Sequence, residues 1–472
     1  MHTSSLADPL LTPPMPAMAP DDIGGLGVLR AIRRNAFEAF PARCLEEPIV
    51  RLGTSFKPIV IATSPESIRH VMLDQHADYV RLPVGKRVLG PIVGNGLLVS
   101  EGDAWRMQRR TMAPAFKPHK IQALTGLICE VAEQACLEFE TCVEFEAGRG
   151  QPVDLFDFFQ SVSLDIAARV MFSSDISAID TKLRSLLSFY ITRIGAPTMG
   201  DFLLPTWMPT VSTVRRALFR RRWRGLLAQA IANRRAGQRM IARGPASDDE
   251  YPADLFDLLD HAHGSRPDDL LADEVSTMLV AGHETTALTL FWACVLLAQL
   301  PELQSELALE AARFDWKTKS DPVRAEMDVN ALPLAKAVVQ ETLRLYSPAF
   351  MTARLAVRSH RIGGCDVPAG AMILIPFWLL HRNPARWKSA ASFDPRRFID
   401  GPKPEQFDYL PFGVGPHVCI GAQLAIAEAT IVLARLLRDN RIAPIDNNIP
   451  LPVGRLSTRP SYSPKFSVEF RS

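Results

Sequence analysis

Seven cysteines stand at Cys44, Cys129, Cys136, Cys142, Cys294, Cys365 and Cys419, and no two form a C-x-x-C pair. An odd, scattered set is neither a disulfide framework nor a zinc site, and it suits a reducing compartment. A cytoplasmic location is the expectation. An excess of one charge is also lacking: 53 Lys and Arg nearly cancel 51 Asp and Glu, leaving +2. That balance argues against a general polyanion binder, so no nucleic-acid partner is expected. The proline-rich start, Met1 to Asp22, has no apolar run long enough for a membrane span or a signal sequence. Residues 1–22 are expected to be a flexible leader without a transmembrane anchor, and 23–472 a single domain. No internal repeat breaks up this length. Hydrophobic content of 47% with 22% charged residues is ordinary for a globular chain.

What is present is a glycine-bracketed loop, Phe412-Gly413-Val414-Gly415-Pro416-His417-Val418-Cys419-Ile420-Gly421, running into an apolar helical stretch, Ala422 to Leu437. A cysteine just before a helix meets unpaired N–H groups and the positive end of the macrodipole. That environment is expected to lower the thiol pKa and favour the metal-binding thiolate. Gly413, Gly415 and Gly421 permit close approach of backbone to a flat ligand. Taken alone, Cys419 reads equally well as a buried structural cysteine.

Asp268 to Leu300 is the longest helical segment and is apolar all round from Met278 onward, as a central buried helix must be. Inside it lies Ala281-Gly282-His283-Glu284-Thr285-Thr286. A glycine, two threonines and a carboxylate break the rules of a buried helix, and such intrusions cluster at functional sites. Upstream, Trp105 and Arg109 share a helix face at i,i+4 spacing. Downstream, Glu341 and Arg344 sit at i,i+3, followed by Phe393-Asp394-Pro395-Arg396-Arg397-Phe398. Residues 211–243 carry ten arginines and no acid. Such a block is either a membrane or partner patch or, more commonly, the solvated face of amphipathic helices.

Strands are expected at Ile49 to Gly53, Ile59 to Ala62, Thr352 to Val357 and Ala371 to Ile375. Ser64-Pro65-Glu66 reads as a helix start. Helices are expected over Ile121 to Phe172, with a break at Gly148 to Pro152, and over Pro301 to Phe314 and Pro333 to Tyr346. The glycine-containing segment Tyr79 to Ser100 reads as a long loop, Pro245 to Pro252 as another, and the tail from Pro450 as a closing hairpin.

The loop F-x-x-G-x-[HR]-x-C-x-G resembles the haem-binding loop of the cytochrome P-450 family, with histidine at 417 where most members have arginine. W-x-x-x-R, A-G-x-[DE]-T-[ST], E-x-x-R and F-x-P-x-R-F resemble the remaining family motifs and stand in family order. The resemblance implies a mainly α fold with a smaller β-rich part, and haem b between the central helix and the cysteine-loop helix. It implies Cys419 as axial thiolate, with Phe412, Gly413, His417 and Gly421 around the haem. Trp105, Arg109 and Arg354 correspond to propionate contacts, and Ala281 and Gly282 to the oxygen groove. Thr285 would hydrogen-bond the activated oxygen while Glu284 relays protons. Glu341, Arg344 and Arg397 would form a structural network, and Met278, Ala349, Phe350 and Met351 would line the substrate pocket. By the same resemblance the arginine block lies in two helices forming a lid over the substrate entrance.

The function implied is a soluble, bacterial-type monooxygenase. It would be monomeric and would insert one atom of dioxygen into a lipophilic molecule such as a fatty acid or terpenoid. With no flavin or iron–sulfur sequence present, electrons are expected from a ferredoxin or flavodoxin with its NAD(P)H-dependent reductase. Arg109, Arg110, Lys117 and Lys120 would form the docking face. A peroxygenase or isomerase on the same fold, and a non-catalytic haem sensor, are the alternatives.

Overall fold

The computed structural model describes residues 10–471 apart from 53–57, 148–151, 173–176, 206, 242–254, 264–267 and 317–327. Its axis is the helix Asp268–Leu297, whose residues from Ala287 onward are all buried. The helix is long and apolar enough to cross a membrane, yet 78% of its apolar window is covered by the protein's own side chains. It is a core helix. Leu155–Phe172 packs along it, and Trp292 stacks on Tyr346 of the helix Pro333–Tyr346, with ring centroids 4.0 Å apart and planes at 7°. The Trp292 Nε1–H also donates to the Thr458 carbonyl at 2.9 Å, tying the C-terminal region to the core. A stacked pair of this kind contributes about 1 kcal/mol beyond the area it buries.

The helix after the cysteine loop, Ala422–Asp439, is buried from Ala427 to Leu437. It lies among Pro118–Ala147, Pro301–Arg313 and Pro333–Tyr346. Near its far end the buried Arg435 donates to Glu133 and Glu140 of Pro118–Ala147, so both ends of this helix are fixed.

Beside this helical body lies a five-stranded sheet in the order Ile49–Leu52, Ile59–Ala62, Met372–Ile375, Thr352–Ala356, Tyr79–Arg81. All neighbours are antiparallel except Ile59–Ala62 with Met372–Ile375. Pro452–Gly454 and Thr458–Pro460 form a short hairpin, and Phe466–Phe470 pairs with Asn440–Pro444. Ser64 caps the helix Pro65–Arg69 through a reciprocal box with Ser67, as its sequence suggests.

Two expectations, for Tyr79 to Ser100 and for the arginine block, are corrected. Tyr79 to Ser100 is not one loop: it holds the edge strand Tyr79–Arg81 and the helix Pro83–Val93. Gly85, Gly90 and Pro91 argue against a helix there, but burial of Val88, Ile92 and Val93 overrides propensity. Residues 10–22 lie against the body, with the Ala19 N–H donating to Phe40 O and the Phe393 N–H to Leu11 O. The arginine block is one helix, Val211–Ile241, and its inner arginines find acids on other elements. Arg216 is fully buried and grips Asp201 with two bonds of 2.8 and 3.0 Å. Arg234 and Arg235 reach Asp257 and Asp260. The turn before Pro58, the break after Gly148 and the Pro245 loop fall almost wholly outside the described residues.

Candidate active site

The cysteine loop is shaped by two glycines with left-handed backbone, Gly413 at φ 73° and Gly415 at φ 76°. At Gly415 a Cβ would lie 2.0 Å from the Met72 carbonyl oxygen, so no other residue fits. The Cys419 N–H donates to Phe412 O at 2.9 Å, closing the loop on itself. Cys419 is exposed at its surface, yet burial is the largest influence on its thiol. Both hold for a side chain that lines an interior gap. Burial raises the thiol pKa, while the Gly421 N–H and Arg109 lower it, and the net direction is upward. The expected lowering by the helix start is therefore overcome by desolvation, and a thiolate here depends on a cationic metal for its stability.

Across the gap the central helix carries its only half-buried stripe. Between Leu271 and Ala298 every residue is buried except Met278, Val280, Ala281, Gly282 and Thr285. Met278, Ala281, Gly282 and Thr285 recur at i, i+3, i+4 and i+7, one helical face. Met278 and Ile420, the neighbour of Cys419, pack against the same apolar cluster. The helix stays continuous there, and the Thr285 hydroxyl donates to the Ala281 carbonyl at 2.7 Å.

A collar of cations surrounds the loop. Trp105 and Arg109 sit on the helix Gly102–Met112, and the Trp105 ring lies 4.1 Å from that of His417. Arg109 is close enough to Cys419 for each to shift the other. Arg354 is buried and held by Thr352 Oγ1 at 2.7 Å and its neighbour's carbonyl at 2.9 Å. Directly opposite it in the sheet register stands Arg81. The Arg81 guanidinium donates to His417 Nδ1 at 3.1 Å, which leaves the Nε2–H of His417 as a donor. Burial, then Arg81 and Arg354, push His417 down to about 3, so it stays neutral through the physiological range. Burial with Arg81 beside it also pushes Arg354 down to about 10. Only Glu101, 3.7 Å from Arg81, offsets this charge by an ion pair among the described residues. Three arginines and a donating histidine around one cleft call for a ligand with more than one anionic oxygen.

Glu284 points elsewhere, toward the C-terminal hairpin. Its Oε1 accepts from Arg459 Nε at 2.9 Å, Arg459 Nη2 at 2.6 Å and Ser457 Oγ at 3.1 Å. Its Oε2 is buried and makes no hydrogen bond. His283, next to it, is fully buried and pushed down to about 4, chiefly by burial.

Glu341, Arg344 and Arg397 form one network behind the loop. Arg344 makes a two-point pair with Glu341, both bonds 2.8 Å, and donates to the carbonyls of His381, Ala390 and Ser392. Arg397 Nε reaches Glu341 Oε1 at 3.0 Å, and the Asp394 N–H reaches the same oxygen at 2.8 Å. His381 then accepts from the Leu410 N–H at 2.8 Å, two residues before the cysteine loop.

Of the pocket residues, Met278 lies on the helix stripe and Met351 is half-buried beside the Arg354 strand. Ala349 is exposed. Phe350 is a core residue, its ring 4.8 Å from that of Phe37 and close against Gly454. Arg81, Arg459, Ser457 and His381 carry no signal in the sequence. Each is a single polar residue in a short strand or turn, without a periodic signal.

The residues fit a haem: a lone sulfur ligand, an apolar wall at helical spacing, and cationic donors for two carboxylates. Among the described residues no group of three or more His, Cys, Asp or Glu is gathered for any other metal. The family model for cytochrome P-450 matches residues 26–466. The chain belongs to the cytochrome P-450 family and is a monooxygenase, and the family's cofactor is haem with a cysteine thiolate ligand.

Similar proteins include two from Streptomyces melanosporofaciens. Cyclooctat-9-en-7-ol 5-monooxygenase is 29% identical over 431 residues, covering 90% of this chain and 89% of its own. Cyclooctatin synthase is 30% identical over 423 residues, covering 88% and 86%. Protein LUTEIN DEFICIENT 5, chloroplastic, of Arabidopsis thaliana is 27% identical over 432 residues, covering 87% and 70%.

Proposed function

We propose that Cys419 is the thiolate ligand of haem b and that the enzyme hydroxylates a terpenoid-like lipophilic molecule. Electrons come from a separate ferredoxin or flavodoxin with its reductase. The observation that carries this reading is the pairing of a gap-lining Cys419 with the accessible stripe Met278, Ala281, Gly282 and Thr285 on an otherwise buried helix. The terpenoid preference rests on the printed names of the two Streptomyces relatives.

Bound at Cys419, haem supplies the activation of dioxygen, which thiolate donation favours. The chain's own residues do the rest. Arg81, Arg109, Arg354 and the His417 Nε2–H would hold the haem carboxylates, with Trp105 packed against His417. Thr285 donates to the Ala281 carbonyl, so the lone pairs of its hydroxyl would be left to accept from a donor in the groove. Glu284 stands one residue away and faces the hairpin, where the Arg459 side chain is partly exposed. Its Oε2 is buried and makes no hydrogen bond, so it is the oxygen left free to hold a proton, and delivery to the groove would require the carboxylate to turn away from Arg459. Arg459 acts through Glu284 as a positioning residue.

Arg459→Ala removes the carboxylate's counter-charge. Turnover should fall roughly tenfold or more, the scale of a misplaced acid–base group. Dioxygen should be diverted to peroxide, while haem content and the carbon monoxide spectrum stay unchanged. Arg459→Lys should recover part of the coupling. Full coupling in Arg459→Ala overturns the assignment.

Arg110, Lys117 and Lys120 are exposed, and Phe116 beside them packs near Gly421. That places a basic surface close to the cysteine loop, suited to an acidic electron donor. The test of the whole reading is the carbon monoxide difference spectrum of the dithionite-reduced protein. The strongly red-shifted band of a thiolate-ligated haem is expected, followed by product formation with an acidic ferredoxin and its reductase. Absence of haem after growth with a haem precursor sinks the reading.

A further inference from the structure

Four arginines of the helix Val211–Ile241 each meet an acid on another element: Arg216 meets Asp201, Arg224 Asp269, Arg234 Asp257 and Arg235 Asp260. Arg215 meets none. It lines a cleft of about 780 Å³ together with Arg30, Arg33, Arg34, Arg193 and Arg455, and no acid lines that cleft. Arg34 pairs with Glu38, whereas Arg30, Arg33, Arg193 and Arg215 make no ion pair among the described residues. The six come from the helix Gly25–Asn35, the segment 193–198, the start of Val211–Ile241 and the turn between Pro452–Gly454 and Thr458–Pro460. The fold, not the local sequence, gathers them. Cations brought together from four segments repel one another unless anions lie among them.

The size and lining of the cleft narrow the choice of anion. A single inorganic ion fills only a small part of such a volume, which is that of a pocket for an organic molecule. One phosphate takes up two or three guanidinium groups through paired N–H bonds, so six arginines answer to two or more phosphates on one molecule. The wall is not charged throughout: Ile194, Ala196, Pro197 and Val211 supply an apolar side for an organic part. Thr210, Val211 and Ser212 also line the cleft where the 31-residue helix Val211–Ile241 begins, and the positive end of that helix adds to the same field.

We propose that this cleft binds a soluble organic diphosphate or triphosphate, with its phosphates among the arginines and its organic part against Ile194, Pro197 and Val211. A nucleotide and an isoprenoid diphosphate share this chemistry, and the organic part tells them apart. The site stands apart from the haem and holds whatever the substrate is. It is nevertheless joined to the catalytic side by one short hairpin. Arg455 precedes Ser457 by two residues and Arg459 by four, and both of these hold the Glu284 carboxylate. A phosphate on Arg455 steadies the hairpin that positions Glu284, which gives the ligand the part of an effector.

The test is calorimetric titration of the full holoprotein at low salt with pyrophosphate, ADP and farnesyl diphosphate, against sulfate as reference. Pyrophosphate should bind roughly tenfold or more tightly than sulfate, and its affinity should fall as salt rises. One of the two organic diphosphates should bind more tightly still, and the better one names the source. Arg30→Gln, Arg33→Gln and Arg215→Gln together should weaken pyrophosphate binding roughly tenfold or more. Arg221→Gln with Arg222→Gln, exposed on the same helix but outside the cleft, should leave it within about twofold. Hydrogen exchange should slow on binding in Gly25–Asn35, 193–198 and 452–460. All five substituted arginines are exposed, so the fold should not depend on them, and the carbon monoxide spectrum of each variant checks this. Pyrophosphate binding no tighter than sulfate, or weakened equally by both sets of substitutions, would be a general attraction of anions and overturns the proposal. Organic diphosphates that bind no better than pyrophosphate overturn it too, as does slowed exchange only around Arg81 and Arg354.

Discussion

Arg344→Ala should yield a chain that no longer retains its cofactor. Arg344 is fully buried, makes two bonds to Glu341 and satisfies the carbonyls of His381, Ala390 and Ser392. Truncation leaves Glu341 in the core with only Arg397 and the Asp394 N–H as partners, both on Oε1, and three carbonyls lose their donor. Breaking a buried pair by removing one member costs about 3–5 kcal/mol. Against a total stability of roughly 5–15 kcal/mol that is a large share. The damage passes through the His381 to Leu410 bond into the cysteine loop, so haem retention suffers before the helical core does. The expected outcome is at least a tenfold drop in the haem-to-protein ratio and a lower thermal midpoint, with far-ultraviolet dichroism largely kept. Arg344→Lys should fall between, because an ammonium cannot make the two-point contact. Normal haem content in Arg344→Ala would show that the loop is held by something else.

Cys419→Ser should abolish the red-shifted carbon monoxide band and reduce turnover to background. A serine hydroxyl does not ionise near neutral pH, so the electron donation that favours O–O cleavage is lost. The fold should survive. Loop closure runs through the Cys419 backbone N–H to Phe412 O and through Gly413 and Gly415, none of which needs the sulfur. Arg81, Arg109 and Arg354 also remain, so some haem should still bind and show a band at the ordinary position. Persistence of the red-shifted band in this variant would exclude Cys419 as the ligand.

The parts of this site that can be read from sequence are those where one task dictates several residues at fixed spacing. The loop from Phe412 to Gly421 is such a run, as are Ala281 to Thr286 and the Glu341 to Arg344 pair. Arg81 and Arg459 are different. Each is a lone cation on a short strand, brought to the site by pairing with chain far away, and no local pattern announces it. The helix Pro83–Val93 is hidden for a related reason: its glycines and proline speak against it, and only its packing speaks for it. Local reasoning also misjudges the Cys419 thiol, because a helix start lowers a pKa only where burial does not dominate. That His417 stays neutral follows from its burial with Arg81 and Arg354 beside it, none of which its local sequence shows.

The contact between Arg81 and His417 spans 336 positions of chain, and that between Ser457 and Glu284 spans 173. Closing a loop of the first length costs about 5 kcal/mol in chain entropy before any contact repays it. Helices such as Asp268–Leu297 and Pro118–Ala147 rest on local contacts, while the collar and the hairpin clamp unite residues made far apart in time. The pocket is thus the last part of the molecule to come into being. A cell making this protein must deliver the prosthetic group after the chain has been made beyond Cys419, with Arg81, Arg109 and Arg354 already gathered around it.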